Sequence, residues 1–200
     1  ARRFSWPIGD AMLPRLCLCI SLVVLVGCGA ERQAASQEPL AYTPYVAEGP
    51  ATITLITSIN GRSNSGAHSA LVINGSERVL YDPAGSWALM DGMAPERDDM
   101  HFGMFPAALD NYIAFQSNGI FYATEQTIVV PLAVADQAIA AAKAQGSTPK
   151  ALCGNSVSTV LSKLPGFESL SVAYLPKAIS REFAKLPGVV ETRIEGTAAE

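Results

Sequence analysis

Between Ala51 and Ile194 the chain alternates between stretches with strand periodicity and stretches with helical periodicity. Thr52 to Ile59 is β-branched and largely alternating, which predicts a strand. A Gly/Ser/Asn loop, 60–67, follows. His68 to Ile73 reads as a strand, Asn74-Gly75-Ser76-Glu77 as a turn, and Arg78 to Asp82 as the returning strand, stopped by Pro83. Pairing Ile73 with Arg78 sets Ser69 opposite Asp82, so that Asp82 ends its strand beside the place where His68 begins the other. A shift of one residue would change the face each occupies. Ala84 to Phe105 reads as irregular and carries Glu96, Asp98 and Asp99. Pro106 to Phe115 predicts a helix with proline at its start. Ile120 to Val130 predicts a long strand ended by Pro131. Ala135 to Gln145 predicts an alanine-rich helix with Gly146 as its C-cap. Helices are further predicted over Pro149 to Leu164 and Pro176 to Leu186, and a last strand over Val189 to Ile194. The tetrapeptide Lys-Leu-Pro-Gly at 163–166 and 185–188 reads as a helix terminator used twice, not as an internal repeat. Strands and helices in mixed order predict an α+β fold with a mostly antiparallel sheet.

A different pattern lies upstream. Arg15 precedes an apolar run from Leu16 to Val26, shorter than the roughly 20 residues that span a bilayer. Charge, apolar run and small residues, ending in Leu25-Val26-Gly27-Cys28, resemble a bacterial lipoprotein signal with its lipobox. The resemblance implies a signal peptide over 1–27, with Met12 as the start and 1–11 upstream of it. It implies a lipid on Cys28 and a location in the bacterial cell envelope. Gly29 follows Cys28 where an inner-membrane retention signal would place Asp, which points to the outer membrane, facing the periplasm. Residues 28–50, rich in Ala, Gln, Glu and Pro, read as a tether, and 51–200 as one domain.

With 1–27 removed, 11 Lys and Arg remain against 17 Asp and Glu, a net charge of −6. An acidic domain has no electrostatic footprint for nucleic acid, and the acyl anchor must hold the membrane. Cys17 and Cys19 leave with the signal and Cys28 is lipidated, so Cys153 is the one remaining thiol. It is either reactive or a small buried hydrophobe.

Cys153 follows Ser147-Thr148-Pro149, a sequence able to open a helix, which puts the thiol near the first turn. Backbone N–H groups there favour thiolate and can stabilise an oxyanion. Cys153 also shares an apolar helical face with Val157, Val160, Leu161 and Leu164, so a core role fits the same spacing. A carboxylate near His68, such as Asp82, would orient its ring; taken by themselves, the two read better as ordinary strand-end residues in a solvated turn. His101 beside Asp98 and Asp99 could be a metal site or a solvated acidic patch. With two histidines and no Cys-x-x-Cys pair, no metal centre is expected. Trp87, Phe102, Phe105, Tyr112 and Phe115 pack the core or line a cleft.

Together, His68-Ser-Ala-Leu-Val-Ile-Asn-Gly, the returning Val79-Leu80-Tyr81-Asp82, and Cys153-Gly154-Asn155-Ser156-Val157 resemble the circularly permuted branch of the NlpC-like papain-fold family. In that branch the histidine hairpin precedes the cysteine. The resemblance implies a papain-like antiparallel sheet packed on a central Cys-bearing helix. It implies Cys153 as nucleophile, His68 as general base and Asp82 as orienting group, with no cofactor. The substrate would be an amide, ester or thioester, in a peptidoglycan peptide or a lipid acyl group. The other reading is a non-catalytic envelope lipoprotein that uses the fold to bind a partner.

Overall fold

The computed structural model describes residues 40–87 and 94–196. The signal peptide expected over 1–27 and the lipidated Cys28 lie outside them. The described residues form an α+β fold with a seven-stranded antiparallel sheet and four helices. The strands are β1 (Thr52–Asn60), β2 (Gly66–Asn74), β3 (Arg78–Tyr81), β4 (Glu96–Arg97), β5 (Met100–His101), β6 (Phe121–Val129) and β7 (Val190–Ile194). The helices are α1 (Pro106–Gln116), α2 (Leu132–Gln145), α3 (Cys153–Leu161) and α4 (Pro176–Phe183). The strand order is β4-β5-β3-β2-β1-β6-β7. No helix among the described residues is long and apolar enough to cross a membrane.

β1 is central because it can bury both faces. Ile53 and Leu55 join Leu71, Ile73, Val79 and Tyr81 under α2, α3 and α4. Ile56 points the other way, with Ala70, Val72 and Leu80, and packs with Ala108, Tyr112 and Ile113 of α1. A strand flanked on both sides loses the clean apolar–polar alternation of a half-exposed one. Val157, Val160 and Leu161 are completely buried. Each contributes roughly 1.5–3 kcal/mol of apolar burial, which fixes α3 against β2 and so fixes where its first residue lies.

Three local expectations are corrected. The hairpin pairs Asn74 with Arg78 and Ile73 with Val79, one residue from the expected register. The helix expected from Pro149 begins at Cys153 and ends at Leu161. The stretch 84–105, expected as irregular, contains β4 and β5, which extend the sheet beyond β3. Residues 40–50, read from sequence as the end of the tether, have no regular secondary structure but are attached to the domain. The Tyr42 hydroxyl donates to Glu77 at 2.9 Å, and the Arg78 N–H donates to the Tyr45 carbonyl at 2.7 Å.

Candidate active site

The approach to α3 is held by side chains. Thr148 donates its N–H to Asp99 Oδ2 at 2.7 Å and its hydroxyl to Ser156 at 3.0 Å. Ser147 donates to Asp98 at 3.2 Å. The chain then turns through Ala151, at φ 68°, into Leu152 as N-cap, with no side-chain cap. The N-cap makes no side-chain hydrogen bond to the first turn, and Cys153 is the first helical residue. The His68 ring and the backbone N–H groups of Ser69 and Gly154 lie close enough to its sulfur to influence its titration. Burial pushes the thiol up, but the His68 contact and charge, with the two N–H groups, bring it below the ordinary 9.0. The helix dipole acts in the same direction.

The corrected register explains how His68 meets Asp82. Ser69 opposite Asp82 would have placed the carboxylate on the face away from His68. With Asn74 paired to Arg78, continuing the ladder beyond Leu71–Tyr81 sets Asp82 against Ala70. His68 and Asp82 are then diagonal neighbours on one face. His68 Nε2 lies 2.6 Å from Asp82 Oδ1. Burial alone would push His68 down, but Asp82 and then Cys153 raise it from 6.5 to about 9. Because Nε2 is engaged with the carboxylate, Nδ1 is the ring nitrogen free to serve the sulfur. Burial also pushes Asp82 up, and the His68 bond and charge, with the Tyr112 hydroxyl, bring it below 3.8. Tyr112 is fully buried and donates to Asp82 Oδ1 at 2.7 Å. The Asp82 backbone N–H donates to the Asp99 carbonyl at 2.8 Å.

The three residues singled out in the sequence, Cys153, His68 and Asp82, thus meet at one end of the sheet. Sequence reasoning missed the donor role of Tyr112, which was visible only as a core or cleft aromatic. It lies 30 positions from Asp82 and no local pattern connects them. His101 is corrected as well. It is 2 % exposed on β5, not in a solvated patch, and its ring lies edge-on to Trp87 at 5.0 Å. No group of three or more His, Cys, Asp or Glu among the described residues is arranged to hold a metal. Of the other aromatics, Trp87, Phe102 and Tyr112 are buried, whereas Phe115 is exposed.

A cleft of about 280 Å³ opens on His68, lined by Ser58, Ala67, Gly85, Phe115, Gln116 and Phe121 among others. Among the described residues, His68 is the only ionisable one in its lining. Cys153 is 6 % exposed and does not line it. Gly154 explains part of the tight fit around the nucleophile, because a Cβ there would overlap the Tyr174 carbonyl. Gly154→Ala is therefore expected to destabilise the protein by about 1–3 kcal/mol, read as a lower midpoint in urea melts. An unchanged midpoint would mean that this loop moves aside freely.

The chain matches no protein-family model, no curated protein and no solved structure.

Proposed function

We propose that this chain is a thiol-dependent acyl hydrolase or acyltransferase with a circularly permuted NlpC-like, papain-type fold, carried on an envelope lipoprotein anchored through Cys28. The observation that carries the reading is one imidazole, on His68, bonded at 2.6 Å to a buried carboxylate and near enough to a cysteine at a helix N-terminus for each to shift the other's titration. The antiparallel sheet packed on the Cys-bearing helix, with the histidine hairpin first in the chain, agrees with the permuted order.

The Cys153 thiolate attacks the carbonyl carbon of an amide, ester or thioester. The oxyanion takes donors from the uncapped start of α3. His68, as imidazolium, protonates the leaving group through Nδ1, and a thioester to Cys153 remains. His68 then removes a proton from water or another acceptor, which attacks the thioester, and sulfur departs as thiolate. Asp82 keeps the ring aligned and stabilises its charge throughout.

The lining of the cleft favours a lipid acyl group over a peptidoglycan stem peptide. A stem peptide carries several charges that need partners on burial, and among the described residues this cleft offers none besides His68. The opposing reading, a non-catalytic binding module, draws on the burial of Cys153 and its absence from the cleft wall. Incubation with uncharged p-nitrophenyl acyl esters separates the two. The enzyme reading expects a nitrophenol burst and an acyl mass increment on Cys153, both lost in Cys153→Ala. No increment, with alkylation no faster than that of a model thiol, would leave the binding module. The anchor is tested separately: Cys28→Ser is expected to leave the leader uncleaved and the protein without lipid by mass spectrometry.

A further inference from the structure

The sheet face that carries His68 and Asp82 carries a second imidazole that the reaction above does not use. His101 on β5 stands opposite Leu80, two residues before Asp82. Residues two apart on a strand share a face, so His101 and His68 flank Asp82 diagonally, from the two strands that pair with β3. Trp87 joins the group, its ring 5.0 Å from His101 and 5.3 Å from Tyr112, the donor to Asp82.

Two buried atoms here lack a hydrogen-bond partner among the described residues: Nδ1 of His101 and Oδ2 of Asp82. A backbone hydrogen bond to Ala94 favours the protonated ring, which identifies the Ala94 carbonyl as acceptor. A neutral imidazole has one N–H. Given to Ala94 through Nε2, that proton leaves Nδ1 as a buried lone pair, which the Asp82 charge reaches through space and not through a hydrogen bond. A proton on Nδ1 would therefore be favoured by the nearby Asp82 charge. Among the described residues, the other charged or titratable groups around it are Glu96, its register partner on β4, Asp99 in the β4–β5 turn, and Tyr112 on α1. Burial is the largest influence on His101 and holds it below 6.5, while Asp82, Ala94 and Asp99 pull the other way.

We propose that His101 is a positioning residue that shares the Asp82 carboxylate with His68, so that a proton taken up by His101 loosens the hold of Asp82 on His68 and, with it, the imidazolium–thiolate pair. At neutral pH the unprotonated ring leaves Asp82 to His68 and Tyr112. In acid the two imidazoles compete for one carboxylate, and their titrations are coupled. The consequence for Cys153 rests on the catalytic reading above; the coupling of the two histidines does not.

The chain has two histidines, so both can be followed by NMR titration of the full protein. Asp82→Asn is expected to lower the His101 midpoint by about one pH unit, and His68→Gln, which releases the carboxylate, to raise it by a similar amount. If His101 titrates identically in wild type and both variants, the proposal is wrong. His101→Gln keeps a polar side chain but takes up no proton. It is expected to shift the acid limb of Cys153 alkylation about one unit lower, roughly tenfold more thiolate at a given pH on that limb. A purely structural role would leave His101→Gln with the wild-type profile. Should Cys153 prove unreactive, the NMR midpoints still decide the coupling.

Discussion

His68→Ala is expected to slow alkylation of Cys153 by iodoacetamide by about one to two orders of magnitude near pH 6. Burial pushes this thiol up, and His68 is the largest influence pulling it down. Without the imidazole only the N–H groups of Ser69 and Gly154 oppose burial, and the thiol returns toward its ordinary range. The thiolate fraction at pH 6 would then fall below that of the wild type. Part of that difference is offset because a thiolate of lower pKa is a weaker nucleophile, which is why the expected loss is smaller than the change in thiolate alone. The clearer signature is the pH dependence. His68 stays charged up to about pH 9, so the wild-type rate should hold as pH falls below 7, whereas the variant should lose about tenfold per unit. Superimposable profiles would mean that the His68–Cys153 contact does not activate the sulfur.

The second large effect concerns stability. Asp82→Asn is expected to cost about 2–4 kcal/mol near pH 5.5, because it leaves the His68 imidazolium without its buried counter-charge. The sign follows from linkage. His68 is raised in the folded state, so its contribution is complete below its ordinary 6.5 and is lost as pH rises through about 9. Asp82 is lowered, so its contribution is present above its ordinary 3.8 and is lost as pH falls through its folded value. The window of full effect therefore lies between about pH 4 and 6.5. Cys153 titrates with the opposite dependence, so the comparison is best made in a Cys153→Ala background. There His68 has lost one raising partner, and the decline should begin at lower pH. Urea melts with and without Asp82→Asn in that background should show the gap narrowing from about pH 5.5 to about pH 9.5. A gap of constant size would show that Asp82 acts as a neutral hydrogen-bond partner and not as a charge.

The elements and their order were readable from sequence where the signal was strong and local. Thr52 to Ile59 is β-branched, and it forms β1. Asn74-Gly75 marked the turn of the β2–β3 hairpin, and Pro106 opened α1. Where local signals compete, the sequence leaves the boundary open. Ser147-Thr148-Pro149 can cap a helix, but Asp98 and Asp99, 49 residues away, bind Ser147 and Thr148 instead and delay α3 until Cys153. β4 and β5 are two residues each, too short for any periodicity, and exist because β3 offers an edge. The hairpin register is the most instructive error. Its turn was visible, but which residue pairs with Arg78 depends on how both strands fill the layers above and below the sheet.

Two short motifs and their order in the chain singled out Cys153, His68 and Asp82 by resemblance, whereas residue chemistry alone fitted a core cysteine and ordinary strand-end residues as well. The working relation between them came only from three-dimensional packing. A one-residue register brings His68 and Asp82 onto the same face, Tyr112 arrives from α1 to hold the carboxylate, His101 is drawn in by β5, and the buried side of α3 sets the sulfur against the ring. These are contacts between segments far apart in the chain, and their geometry is decided by which side chains fill shared space, a property that no single stretch of sequence carries.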